Sequence, residues 1–337
     1  MADGKRKRLH LFGILTAGLV LLGSCRQEQV CLVLPEDSPE PVLFGAGRLE
    51  SALSGAGYRV DRFIGGPAED GITSVVISVK GDSLFTVACV SAGIIIDSMP
   101  GKEGFVLQAG KKLVLIGGTD PSGALYGCLE LERRIAEKGR LPKDVHLVDQ
   151  PEMVIRGTAI GLQKPVYLPG RNVYEYPYTP ETFPWFYDRD LWIRYLDMLV
   201  ENRLNALFLW NGHPFASLVR LEDYPFAVEV DEQTFRQNEE VFEFLTEEAG
   251  KRGIYVIQMF YNILVSKPFA EHYGLETQDR SRPITPLISD YTRKSVAAFI
   301  EKYPNVGRCR DRHLYRQFRN AIVIHALGCG LRKQQEF

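Results

Sequence analysis

The sequence predicts an α/β protein in two consecutive modules, the second built on parallel strands. Three observations predict it. Ala206–Trp210 is a short apolar run without helical spacing, closed by Gly212 and Pro214, the pattern of a strand buried on both faces. It lies between two long amphipathic helix patterns, Asp190–Asn202 and Thr234–Arg252, and so forms the middle of a βαβαβ series. Upstream, residues 30–138 carry a separate set of strand and helix signals that Gly139 closes.

The first module follows in order. Val30–Leu34 predicts a strand and Val42–Leu53 a helix ended by Gly55 and Gly57. Tyr58–Ile64 and Ser74–Val79 predict two more strands, the latter turned at Lys80-Gly81-Asp82. Phe105–Gln108 and Leu113–Ile116 form a hairpin-like pair, and Ser122–Lys138 a helix with Leu125, Leu129 and Ile135 inward. Gly45-x-Gly47 lacks the third glycine of a dinucleotide fingerprint, and Gly117-Gly118 lacks a Gly-Lys-Ser/Thr sequel. Both read as turns, and no cofactor is expected.

In the second module Met153–Gly161 predicts strand one. A Pro- and Tyr-rich loop, Leu162–Tyr187, is long enough to expect function of it. In helix one, Trp192, Leu196 and Val200 point inward beside Leu191, Tyr195 and Leu199. Helix two buries Phe235, Val241, Phe242, Leu245 and Ala249, and Gly253 ends it. Ile254–Phe260 is strand three. Helix three starts near Asp290, carries Val296, Phe299, Ile300 and Tyr303 on one face and stops at Pro304. Spacings of 40 to 50 residues suit barrel units with large upper loops, and a doubly wound sheet fits the same pattern.

The 337 residues allow two domains, and 45% hydrophobic with 24% charged residues is ordinary globular composition. A net charge of -2 points away from nucleic acid and anionic membrane surfaces as main partners. Cys31, Cys89 and Cys128 read as buried thiols. Cys309 and Cys329 lie in the tail, and no pair has metal-ligand spacing, so no metal is expected.

Residues 1–25 read as an export signal. Lys5-Arg6-Lys7-Arg8 precedes an apolar stretch, Leu11–Leu22, that is short for a membrane span. Leu22-Gly23-Ser24-Cys25 resembles a bacterial lipobox. That resemblance implies lipidation of Cys25, a membrane anchor there, and an outer-membrane or periplasmic location, with Arg26 favouring the outer membrane.

The segment Gly117-Gly118-Thr119-Asp120-Pro121, the helix containing Tyr126-Gly127, then Asp149-Gln150-Pro151 and Ile155-Arg156-Gly157 carry a second resemblance. They resemble the junction between the small α/β domain and the catalytic barrel of β-hexosaminidases and α-glucuronidases. The resemblance covers residues 30–307. It implies an α/β sandwich domain over 26–150 and the first three βα units of a (β/α)8 barrel over 151–307. It also implies a glycoside hydrolase-like function on complex polysaccharide or glycan. Val306-Gly307 should open strand four, but residues 308–337 turn abruptly Arg-rich. A reading-frame shift near codon 307, which would leave a truncated chain without turnover, is expected over a native basic C-terminal helix on a short protein, because three βα units cannot close a barrel.

Glycoside hydrolysis generally needs two carboxyls flanking the scissile bond. In the resembled families these lie on strand four and later, so no catalytic pair is assigned before Gly307. Asp188 or Asp190 reads as a cap of helix one, and Glu222-Asp223 as a solvated loop. Substrate-binding candidates follow each strand: Lys164 after the first; Trp210, Asn211 and His213 after the second; Tyr261, Asn262, Lys267 and Arg282 after the third. Trp210 is suited equally to stacking on a pyranose and to barrel-core packing. Asn211 and Asn262 are suited to hydroxyls, and Lys164, Lys267 or Arg282 to a uronate carboxylate. His213 has no second ligand at metal spacing. The alternative function is a non-catalytic, glycan-binding surface lipoprotein, separated from the first by whether an acid pair exists downstream.

Overall fold

The computed structural model describes residues 27–66, 71–92, 99–110, 112–164, 177–261 and 264–306. Cys25, Asn262, Gly307 and the 308–337 tail lie outside the described residues.

The first module is a six-stranded mixed sheet between two helical layers. Its strands are β1 (Gln29–Leu34), β2 (Arg59–Ile64), β3 (Thr73–Val79), β4 (Phe105–Ala109), β5 (Leu113–Gly118) and β6 (Val145–Asp149), in the order β2-β1-β3-β5-β4-β6. All pairs are parallel except those of β4, which runs antiparallel to both β5 and β6. Because side chains alternate along a strand, β1 sends Val30, Leu32 and Leu34 to one face and Cys31 and Val33 to the other. The first face packs on α1 (Glu40–Gly55) and α3 (Pro121–Lys138); the second is covered by Phe85 and Ala88 of α2 (Ser83–Ala92).

The sequence reading missed α2 and β6. In α2, Val87 and Val90 are exposed, so its apolar residues follow no clean stripe. In β6, Val145-His-Leu-Val-Asp alternates properly but lies on the sheet edge, half exposed. Gly45 and Gly47 stand inside α1 rather than in a turn. A Cβ at Gly45 would come within 3.1 Å of the Cys128 Cβ, so the glycine lets α1 cross close to α3.

The second module is a three-stranded parallel sheet ordered β7 (Gly157–Gly161), β8 (Ala206–Trp210) and β9 (Tyr255–Met259). The connecting helices are α4 (Arg189–Glu201), the short α5 (Phe215–Leu218), α6 (Glu232–Lys251), α7 (Lys267–Tyr273) and α8 (Pro286–Lys302). Each successive strand is laid beside the last, and Val306 continues the series with a parallel bridge to Val256 on β9. A doubly wound sheet reverses direction at a switch point; this order does not, and constant right-handed crossovers then place every helix on one side, as in a barrel. The fold is α/β throughout, a six-stranded α/β domain followed by barrel-type βα units.

Strand one begins at Gly157, not Met153. Met153, 66% exposed, belongs to the linker, because the Arg156 amide donates to the Asn205 side chain and its guanidinium to the Met153 carbonyl. A Cβ at Gly157 would lie 2.3 Å from the Ala206 carbonyl oxygen, so the strand starts where only glycine fits. The predicted inward face of α6 is buried, as are Trp192, Leu196, Leu199 and Val200 of α4, while Leu191 and Tyr195 are half-buried. On α8 the buried stripe is Ile288, Tyr291, Ser295 and Phe299, and Ile300 is 41% exposed. The helix starts four residues earlier than Asp290, at Pro286 behind the cap Thr285, and this stripe continues along it at i+3/i+4 spacing.

Candidate functional site

The register places Gly161, Trp210 and Met259 side by side at the carboxyl ends of β7, β8 and β9. Cross-strand partners share a face. Two and four residues below, the pairs Phe208–Ile257 and Ala206–Tyr255 pack together on the side away from the helices. Trp210 therefore projects from the concave face and is 37% exposed. Its neighbour Gly161 has open space where a Cβ would stand. The Tyr261 ring meets Trp210 edge-on, 6.2 Å between centroids and 70° between planes. The pair forms an accessible aromatic platform where βα units carry their binding loops.

Asn211 has a different task from the one its position suggests. It is 1% exposed, its Nδ2 donates to the Leu162 carbonyl at 3.0 Å, and its Oδ1 accepts from the His213 amide at 2.9 Å. It ties the ends of β7 and β8 together and shapes the turn. His213 is half-buried. Its Nε2 lies 2.8 Å from the Tyr291 hydroxyl, and burial pulls its pKa down to about 3, so the ring is neutral. Tyr291 also donates to Ser266 Oγ, which caps α7 by accepting from the Phe269 amide. Burial pushes the Tyr291 phenol up to about 12.

The remaining candidates are scattered. Lys164 holds its Nζ over the Phe183 ring at 5.3 Å. Lys267 lies in the first turn of α7, 3.7 Å from Glu271 and half exposed. Arg282 sits in the loop before α8 and donates to the Glu276 carbonyl. Asp188 caps α4 by accepting from the Leu191 amide at 2.9 Å, as its position predicts. Asp223 pairs with Lys294 at 2.5 Å. Sequence reasoning missed Ser266 and Tyr291. A cap signal was available, Ser266 with Pro268 at the first turn. Tyr291 carried none, since its role depends on which helix face meets the loop.

The opposite end of the strands holds the junction of the two modules. Glu103, 3% exposed, accepts from Arg156 Nη2 at 2.6 Å and from Asn205 Nδ2 at 3.0 Å. Arg203 reaches Asp149 and Glu130 and lies over the Phe105 ring at 5.4 Å. Burial raises the proton affinity of Glu130, but hydrogen bonds from Arg133 and Arg134 outweigh it and leave its pKa below the ordinary value. Glu103 and Arg203 are the two non-glycine residues with positive φ among those described, at 57° and 56°. A cavity of about 170 Å³ lies here, lined by Glu103, Tyr126, Asp149, Arg156 and Arg203. These groups already partner one another, and the amino-terminal end of barrel strands serves stability rather than chemistry. Of the two ends, the Trp210 end is the one at which βα strands carry ligand-binding loops.

No protein-family model matches the chain, and neither does any curated protein. Solved structures do. An enzyme of glycoside hydrolase family 138 that targets pectin rhamnogalacturonan II is 54% identical, with a TM-score of 0.71. The match covers 82% of this chain and 30% of that one, so the chain spans about 30% of that enzyme's length. CpGH84D, of family 84, matches over 82% of this chain and 39% of its own at 12% identity and TM-score 0.51, a likeness of fold alone. In sequence and fold the chain is glycoside hydrolase-like.

Proposed function

We propose that this chain contributes part of the substrate-binding rim of a glycoside hydrolase that acts on a complex, pectin-type glycan. The 54% identity to an enzyme targeting rhamnogalacturonan II carries the reading. The Trp210–Tyr261 platform beside Gly161 supports it, since an exposed indole is suited to stacking on a pyranose. Hydrolysis itself needs a pair of carboxyls. Among the described residues the rim candidates Asp188, Asp190, Glu222 and Asp223 do not form one: Asp188 is a helix cap, Asp190 lies in the first turn of α4, and Glu222 and Asp223 are exposed. We assign the pair to sequence beyond Gly307 in the whole protein. Export and anchoring through a lipidated Cys25 are part of the same proposal, supported by Leu22-Gly23-Ser24-Cys25.

Two experiments test the glycan reading and a third the anchor. Oligosaccharides from partially hydrolysed rhamnogalacturonan II should quench Trp210 fluorescence, and Trp210→Ala should weaken binding about tenfold. Equal response of wild type and variant, or none, would reject the platform. The whole gene product should release sugar from the same polysaccharide; if a pectic panel yields nothing, the glycosidase reading fails. Metabolic labelling with a radioactive fatty acid should mark the wild type and not Cys25→Ala.

A further inference from the structure

We infer that His213 meets bound carbohydrate through its second ring nitrogen, and that Tyr291 is the positioning residue that fixes it there; the inference rests on the glycan-binding reading of the Trp210 rim. His213 follows Trp210 by three residues, in the turn that Asn211 closes. Its ring is clamped on two sides. Tyr291 stacks on it at 5.6 Å and 29°, and Phe215 meets it edge-on at 5.5 Å. Tyr291 is itself stacked on Phe269 at 4.0 Å. The imidazole thus sits on a column of rings anchored in α7 and α8, and cannot turn freely.

The hydrogen bonds along this column run one way. Ser266 Oγ accepts from the Phe269 amide at 3.3 Å and from the Tyr291 hydroxyl at 3.4 Å. With the Tyr291 hydroxyl directed at Ser266, the 2.8 Å contact between His213 Nε2 and Tyr291 Oη fits Nε2 as the donor. That assigns the Nε2–H tautomer and leaves Nδ1 an acceptor. Nδ1 has no hydrogen-bond partner among the described residues, nor is it one of the fully buried unpaired polar atoms. The residue is half-buried three positions after Trp210, so Nδ1 is the ring nitrogen left for a ligand at the rim. A fixed, uncharged acceptor beside an exposed indole is suited to one donor on a stacked ligand, a sugar hydroxyl. Holding it in place beforehand removes the ordering cost that a mobile side chain would pay on binding.

The test uses the full chain labelled with ¹⁵N-histidine and oligosaccharides from partial acid hydrolysis of rhamnogalacturonan II. His213 signals are those lost in His213→Phe. At pH 7 the ring should show a single neutral tautomer, and the oligosaccharides should shift Nδ1 while Nε2 holds. His213→Phe and Tyr291→Phe should each weaken binding about fivefold, the effect of one hydrogen bond, and His213→Gln should recover part of it. If the sugar quenches Trp210 while Nδ1 is unmoved and His213→Phe binds as wild type does, the inference falls and the rim reading stands. If wild type and Trp210→Ala are equally silent to the sugar, both fall. Should His213→Phe fail to fold, the wild-type Nδ1 shift under saturating sugar decides.

Discussion

At the scale of single residues, burial and partnering decide which side chains carry energy. The Glu103 carboxylate lies in the interior, where Arg156 and Asn205 pair with it. Arg156→Ala would leave that carboxylate buried and short of its cation, a loss of about 3 kcal/mol or more that urea unfolding would read. Arg133→Ala, by contrast, removes a half-exposed partner of Glu130 that Arg134 and Arg203 still hold, and should cost about 0.5 kcal/mol. His213 gives a pH signature. Its folded pKa is depressed to about 3 by burial, below its ordinary value. Its contribution to stability is therefore complete above the unfolded pKa of about 6.5 and is lost as pH falls toward 3, at up to about 1.4 kcal/mol per pH unit. Melting curves from pH 7 to 4 should fall more steeply for the wild type than for His213→Phe; parallel slopes would mean that the ring protonates freely in the folded state.

At the scale of elements, most helices start from a side-chain cap. Asp120, Asp188, Asp231, Ser266 and Thr285 each accept an amide from the first turn. Asp231→Ala should lower the denaturant midpoint, since α6 loses a bond to the Thr234 amide that water replaces only in part. Asp120→Ala should cost more, because Asp120 also accepts from the Glu103 amide at 2.8 Å and so supports a residue held at positive φ. Denaturant midpoints for the two variants, measured side by side, check the order. The amphipathic elements were legible in sequence because period and cap agree in α4 and α6. Among the elements missed, α2 and β6 have exposed apolar residues or lie on an edge, where burial writes only half a pattern, and α5 and α7 are too short to show a helical period.

At the scale of the molecule, the two modules share one continuous core and several charged ties. Arg252 pairs with Asp197 and lies over the Phe44 ring of α1 at 4.7 Å, while Arg48 bridges α3 and α4 through Glu132 and Glu201. Residues as distant as Val30 and Val306 belong to the same apolar cluster. Gly157→Ala should damage this whole, because its Cβ would meet strand backbone rather than a flexible side-chain end. A loss of about 2 kcal/mol is expected, with the far-ultraviolet spectrum of the first module retained. A wild-type denaturation curve for Gly157→Ala would show that β7 can shift away from β8 at no cost.

Local sequence specified most strands and helices of both modules, though not α2, α5, α7 or β6, together with the parallel character of β8, a cap at Asp188 or Asp190 and the glycoside hydrolase resemblance at the junction residues. These are written in local chemistry: hydrophobic period, Gly and Pro stops, and short motifs at fixed spacing. The rim itself was only half legible. That Trp210 would stand exposed follows from Gly161 and Met259 as its cross-strand neighbours, a matter of register between segments 49 residues apart. That Asn211 would be consumed by the Leu162 carbonyl, and that Tyr291 would take the His213 ring, depended on which loop reaches which helix. Side-chain type states what a residue can bond; only the packed chain decides whether a protein partner has reached it before a ligand does.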